Sequence, residues 1–126
     1  MPMELKVGKG KTQVQIEVRF FSDGLSVSLF GGDKPHIGAV ALSVPGKSLK
    51  DGKSVSCSTS ILTVTGHKDD VIAKEMSEAI SKAANITVTV VAGVHIDNAK
   101  KKDIEQVRRN CRKASQKIIE LVKNRR

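Results

Sequence analysis

From Thr12 to Phe20 apolar and polar residues alternate strictly, with Val14, Ile16, Val18 and Phe20 on one face and Gln13, Gln15, Glu17 and Arg19 on the other. A period of two marks a half-buried strand. Asp23-Gly24 is a two-residue hairpin signal, and Leu25, Val27 and Leu29 resume the alternation, so the first two strands are expected to pair antiparallel. The Gly31-Gly32-Asp33-Lys34-Pro35 cluster breaks the pattern, and Ile37 to Val44, rich in small and β-branched residues, reads as a third strand. Pro45-Gly46 and the polar stretch to Lys53 read as a long loop, with a fourth strand from Val55 to Thr65.

The period then lengthens. Val71, Ile72, Met76, Ala79, Ile80 and Ala83 follow helical spacing behind Asp69 and Asp70, acids that suit a helix N-terminus, and this helix is expected to end near Ala84. Ile86 to Ala92 is a nearly continuous β-branched run, the mark of a strand central in a sheet or buried on both faces. In the last segment Ile104, Val107, Cys111, Ala114, Ile118 and Leu121 form a narrow stripe flanked by Arg108, Arg109, Arg112, Lys113 and Lys117. That stripe packs either on the chain's own sheet or against a second subunit, since the same spacing serves both. The order β-β-β-β-α-β-α implies an α+β fold, a mixed sheet packed by two helices, in a single domain over residues 1–126.

Composition sharpens this picture in two ways. Phe20, Phe21 and Phe30 are the only aromatics, so the core is aliphatic and stacking chemistry is scarce. The net charge of +9 is uneven: residues 100–126, the basic C-terminal helix, hold 11 basic and 3 acidic groups, while residues 1–99 hold 11 and 10. Such a helix is a solvated face, or a contact for nucleic acid, an acidic protein or a phosphate-bearing ligand. No signal-peptide pattern or long apolar run occurs, and Cys57 and Cys111 form no short-spaced pair. The expectation is a soluble, reduced, cytoplasmic protein without membrane contact, its cysteines acting as small buried hydrophobes.

All three histidines lie at strand ends beside glycines and acids: Gly32-Asp33-Lys34-Pro35-His36-Ile37-Gly38, Gly66-His67-Lys68-Asp69-Asp70 and Gly93-Val94-His95-Ile96-Asp97-Asn98. The fourth strand, first helix and fifth strand have the length of a parallel crossover, which directs both strands the same way. His67 and His95 then emerge at one sheet edge, and an antiparallel third strand starts there too, adding His36 and the Gly31-Gly32 loop. Both helix N-termini face this edge, and their open N–H groups favour anions. Asp97 shares a strand face with His95, so it either orients the imidazole or caps the next helix, for which Asn98 serves equally well. Gly38 leaves room for a ligand or a neighbouring backbone, and Lys34 and Lys68 are further anion donors. The alternative is that these are separate turn residues.

No nucleophile elbow, phosphate loop or dinucleotide fingerprint is present, and Gly8-Lys9-Gly10-Lys11-Thr12 lacks the upstream glycine of a phosphate loop and reads as a strand lead-in. A three-histidine metal-dependent enzyme stays open as one reading, although no short-spaced ligand pair supports metal.

The strings Gly32-Asp33-Lys34-Pro35-His36-Ile37-Gly38-Ala39-Val40, Gly66-His67-Lys68-Asp69-Asp70 and Ala92-Gly93-Val94-His95-Ile96-Asp97-Asn98-Ala99 resemble the small prenylated-flavin chaperone-like family associated with hydroxyaryl acid (gallate-type) decarboxylases. That family's fold is similar to proteasome assembly chaperones, α+β domains that commonly dimerise. The resemblance implies a non-catalytic helper, a homodimer that binds prenylated FMN as cargo or assists a partner decarboxylase, with the histidine edge holding the phosphate. It carries no residue roles, so Gly32, Lys34, His36, Gly38, His67, Lys68, His95, Asp97 and Asn98 are nominated from this sequence alone. With aromatics scarce, Val94, Ile96 or Ile37 would have to contact the flavin ring, shared with a partner or second subunit. The competing reading is a nucleic-acid-binding protein using the basic helix, disfavoured because that helix has no stacking aromatics.

Overall fold

The computed structural model describes residues 3–64 and 69–125. Among the described residues, six strands and two helices follow in the order β1 (Met3–Val7), β2 (Val14–Phe21), β3 (Gly24–Gly32), β4 (Ala39–Lys47), β5 (Val55–Thr63), α1 (Asp70–Ala84), β6 (Thr87–His95) and α2 (Lys101–Asn124), with a 3-10 turn at Gly10–Thr12. The fold is α+β with a mixed sheet, and it has one strand more than the sequence pattern implied. The extra strand, β1, is short, but it carries the same alternation: Met3, Leu5 and Val7 face the core opposite Val18, Ile16 and Val14.

The sheet order is β1-β2-β3-β6-β4-β5, parallel only between β3 and β6. β5 and β6 each run antiparallel to the β4 between them, so they point the same way, joined by α1 as a crossover. Both helices pack on one face of the sheet, α1 over β4, β5 and β6, and α2 beside α1 over β1 and β2. The core between them is aliphatic, with Ile16, Leu29, Val90, Met76, Ile80 and Ile118 all fully buried. The α2 stripe therefore packs within its own chain.

Three local expectations are corrected. The first hairpin turns at Ser22 and Asp23, because Phe21 pairs with Gly24. Gly24 is needed instead for space, since a Cβ there would strike the Thr87 carbonyl of β6. β4 continues through Pro45-Gly46 to Lys47, leaving 48–54 as the loop. Pro45 lies beyond the last β6 pair, Ser43 with Val88, where β4 has a neighbour on one side only and a proline is tolerated. Finally, Val71 and Ile104, both read as core positions, are 45% and 54% exposed, and Ile37 lies outside β4 and is 65% exposed.

Cys111 is buried in α2, and burial pushes its thiol up to about 12, with Glu75 and Asp69 adding to the shift. Cys57 is half-buried. Among the described residues no helix is long and apolar enough to cross a membrane.

Candidate functional site

The strand directions bring the end of β6 and the entry to β4 together. Glycine makes the meeting close, because a Cβ on Gly93 would collide with the His36 carbonyl. The His36 and His95 rings consequently lie edge to face with centroids 6.2 Å apart. Beside them Gly32 adopts φ +78, a left-handed conformation that glycine takes without strain, and the Asp33 N–H beyond it donates to the His95 carbonyl at 2.7 Å. His67 and Lys68 lie outside the described residues.

Each of these two described histidines, His36 and His95, is held by a carboxylate. His36 Nε2 is 3.0 Å from Asp69 Oδ2, and its Nδ1 is 3.0 Å from the Lys34 carbonyl, so both ring nitrogens face oxygen acceptors. Asp69 is buried, and its second oxygen accepts the Val94 N–H at 3.0 Å. His95 Nε2 is 3.0 Å from Asp97 Oδ1, and the Asp97 N–H donates to Asp33 Oδ2 at 2.8 Å. The space beside Gly38 is taken by the Asp69 carboxylate, so this glycine admits a neighbouring side chain.

The helix starts differ from the sequence expectation in one respect. Neither Asp97 nor Asn98 caps α2. Asn98 sits at φ 54 in the connection, and Asp103, one turn inside the helix, accepts the Lys100 N–H at 3.0 Å. That bond holds the Asp103 carboxyl below the usual carboxylate range, and Lys11 at 3.2 Å adds to the effect. Asp69, immediately before α1, makes no side-chain cap and turns instead to His36 and Val94.

Behind this edge lies a cleft of about 340 Å³, walled by Val71 and Ile72 of α1, Val94 and Ile96 at the end of β6, and Ile104 and Val107 of α2. His95 and Asp69 line its sheet side and Arg108 its helix side. Val71 and Ile104 are the exposed apolar residues noted above, and they stand on the two helices that flank the opening. Of the aliphatic residues considered for ring contact, Val94 and Ile96 line the cleft and Ile37 does not. Among the described residues no three His, Cys, Asp or Glu side chains are grouped to hold a metal ion.

Sequence reasoning missed Asp69, Asp33 and Arg108 as parts of this region. Asp69 stands within the Gly66-His67-Lys68-Asp69-Asp70 string, where local pattern marks it only as a helix-start acid; its role depends on His36, 33 residues away.

The architecture is shared with a solved structure, that of a chaperone complex for yeast 20S proteasome assembly. The TM-score is 0.60 at 12% identity, covering 98% of this chain and 95% of that one. At that identity the likeness shows the fold. A comparison with curated protein sequences finds no match. The family model for the prenylated flavin chaperone LpdD-like domain matches residues 8–123, and the chain belongs to that family. Its role is accordingly chaperone-like and directed at prenylated flavin.

Proposed function

We propose that this chain carries prenylated FMN as cargo, holding the ring system in the aliphatic cleft beside the His36–Asp69 and His95–Asp97 pairs, and delivers it to a partner decarboxylase in the cytoplasm. The observation that carries the reading is the cleft itself. At about 340 Å³ it falls in the size range of small-molecule sites, its walls are aliphatic, and Val71 and Ile104 flank it uncovered in a member of this family. Prenylation adds apolar surface to a flavin, and aliphatic walls reward that surface without stacking aromatics. The histidine edge supplies polar groups for the heteroatoms at the ring margin. His95, partly exposed, and Lys34 face solvent there, while His36 and Asp69 position the β6 end from behind.

The test is anaerobic calorimetry with prenylated FMN and with ordinary FMN, on the native chain and on Ile104→Asp. Saturable binding of the prenylated form is expected, weaker for ordinary FMN and roughly tenfold or more weaker in the variant, because a carboxylate at the cleft mouth opposes apolar contact. Absence of binding to both flavins would defeat the reading.

We also propose that the chain acts as a homodimer through the outer face of the sheet. On β4, β5 and β6 that face presents Val40, Leu42, Val44, Leu62, Thr89 and Val91, with Leu42, Val44 and Leu62 exposed. It carries no charged residue along the paired registers of β3, β6, β4 and β5. In a chain of net charge +9, an uncharged apolar face is where a second copy meets the least repulsion.

A further inference from the structure

We propose that Arg109 and Arg112, with Arg108 at the junction, form a phosphate-monoester site at the helix end of the cleft, so that the cargo lies with its anionic end on α2 and its neutral ring toward the histidines. This inference rests on the carrier reading and fixes the direction in which the ligand lies.

Charge decides between the two ends. At the histidine edge the positions open to an anion already hold the chain's own carboxylates. Asp69 faces His36, Asp97 faces His95, Asp33 accepts the Asp97 N–H, and Asp103 accepts the N–H at the start of α2. Among the described residues, a dianion placed there meets four carboxylates against two exposed or half-exposed lysines, Lys34 and the Lys11 already paired with Asp103. The polar hydrogen bonds of that edge suit the neutral carbonyl and N–H groups of a heterocycle instead.

The other end has the opposite character. Glu105, Arg108, Arg109 and Arg112 line a second, open depression of about 230 Å³, and Arg108 lines both this depression and the apolar cleft. Glu75 of α1 pairs with Arg108 and approaches Arg112 at 3.8 Å, tethering both guanidiniums. Arg109 makes no ion pair among the described residues. Arg108 Nε is shut off from solvent with no hydrogen-bond partner among them, so this guanidinium has a donor that the chain itself does not use. Planar guanidiniums match phosphate oxygens bidentately, and the surrounding helix contributes the excess positive charge of residues 100–126. An aliphatic slot opening onto an arginine cluster fits a ligand with an apolar body and a terminal phosphate.

The test compares prenylated FMN with prenylated riboflavin, its dephosphorylated form, under anaerobic conditions. In the native chain the phosphate should tighten binding roughly tenfold to a hundredfold, the range of charge-assisted contacts. In the Arg109→Gln/Arg112→Gln double variant that ratio should fall close to one while prenylated riboflavin binds as before. The Lys117→Gln/Lys123→Gln variant removes the same charge from exposed positions further along α2 and should preserve the ratio. His95→Ala should weaken both ligands equally. The arginine site is overturned if the native chain binds both ligands alike, if the ratio survives the arginine changes, if the lysine changes erase it equally, or if His95→Ala abolishes it. In those cases the carrier reading stands. Failure of the native chain to bind either ligand removes both proposals.

Discussion

His36 is held by the chain's own atoms, with the Lys34 carbonyl at one ring nitrogen and the buried Asp69 carboxylate at the other. Asp69 in turn fixes the Val94 N–H, so one carboxylate ties the entry of β4 to the end of β6. Asp69→Ala removes the buried carboxylate that the Val94 N–H and His36 Nε2 both face and should cost about 2–4 kcal/mol of stability in urea unfolding. Asp69→Asn should recover most of that loss. Its carbonyl still accepts from Val94, and its amide donates to Nε2 once His36 adopts the tautomer that keeps hydrogen on Nδ1 toward Lys34. Equal destabilisation by Ala and Asn would show that the contact is not a matched pair of hydrogen bonds. The same geometry explains why His36 supports the site wall, leaving His95 as the histidine that borders the cleft.

The start of α2 is held by one side chain. Asp103 accepts the Lys100 N–H and meets Lys11 from the β1–β2 connection, while about two turns further along the same face Asn110 donates to the Thr12 carbonyl at 2.9 Å. Asp103 is held below the ordinary carboxylate pKa, chiefly by the Lys100 N–H, so its contribution is complete above the unfolded value near pH ~4 and disappears as the pH falls through the lower folded value. The melting temperature of Asp103→Asn should therefore lie below that of the native chain at neutral pH, and the gap should close on acidification. A gap independent of pH would mean that the ionised form is not what stabilises the helix start. Much of this element layout was legible in the sequence. The alternation of β2 and β3, the stripe of α2 and the common direction of β5 and β6 follow from period and connection length, and with them the meeting of His36 and His95. Local pattern did not reveal that β4 runs through Pro45, because the residue is harmless only where β6 has ended. Nor did it separate Val71 and Ile104 from the core, because helical spacing shows which residues share a stripe but not where that stripe leaves its neighbours.

At the scale of the whole molecule, the two faces of the sheet have different fates. One is covered by α1 and α2, and the other is charged on β1 and β2, where Glu4, Lys6, Glu17 and Arg19 project, but uncharged from β3 to β5. Water contact along Leu42, Val44 and Leu62 is unfavourable at roughly 25 cal/mol per Å² of apolar surface, and pairing with the same face of a second copy removes it in both chains at once. The basic α2 lies on the opposite side of the sheet, so this arrangement keeps the two strongly positive helices apart and leaves both cleft mouths open. Leu62→Glu, at a side chain 76% exposed in the single chain, should leave the fold and its melting temperature nearly unchanged while converting a dimer to a monomer in sedimentation equilibrium. Leu42→Glu should do the same from the neighbouring strand. A native chain that sediments as a monomer, or a variant that remains dimeric, would rule out this face as the contact. Where the dimer is lost, unchanged prenylated FMN affinity would assign the cleft to a single chain, and a parallel loss of affinity would mean that the second copy completes it.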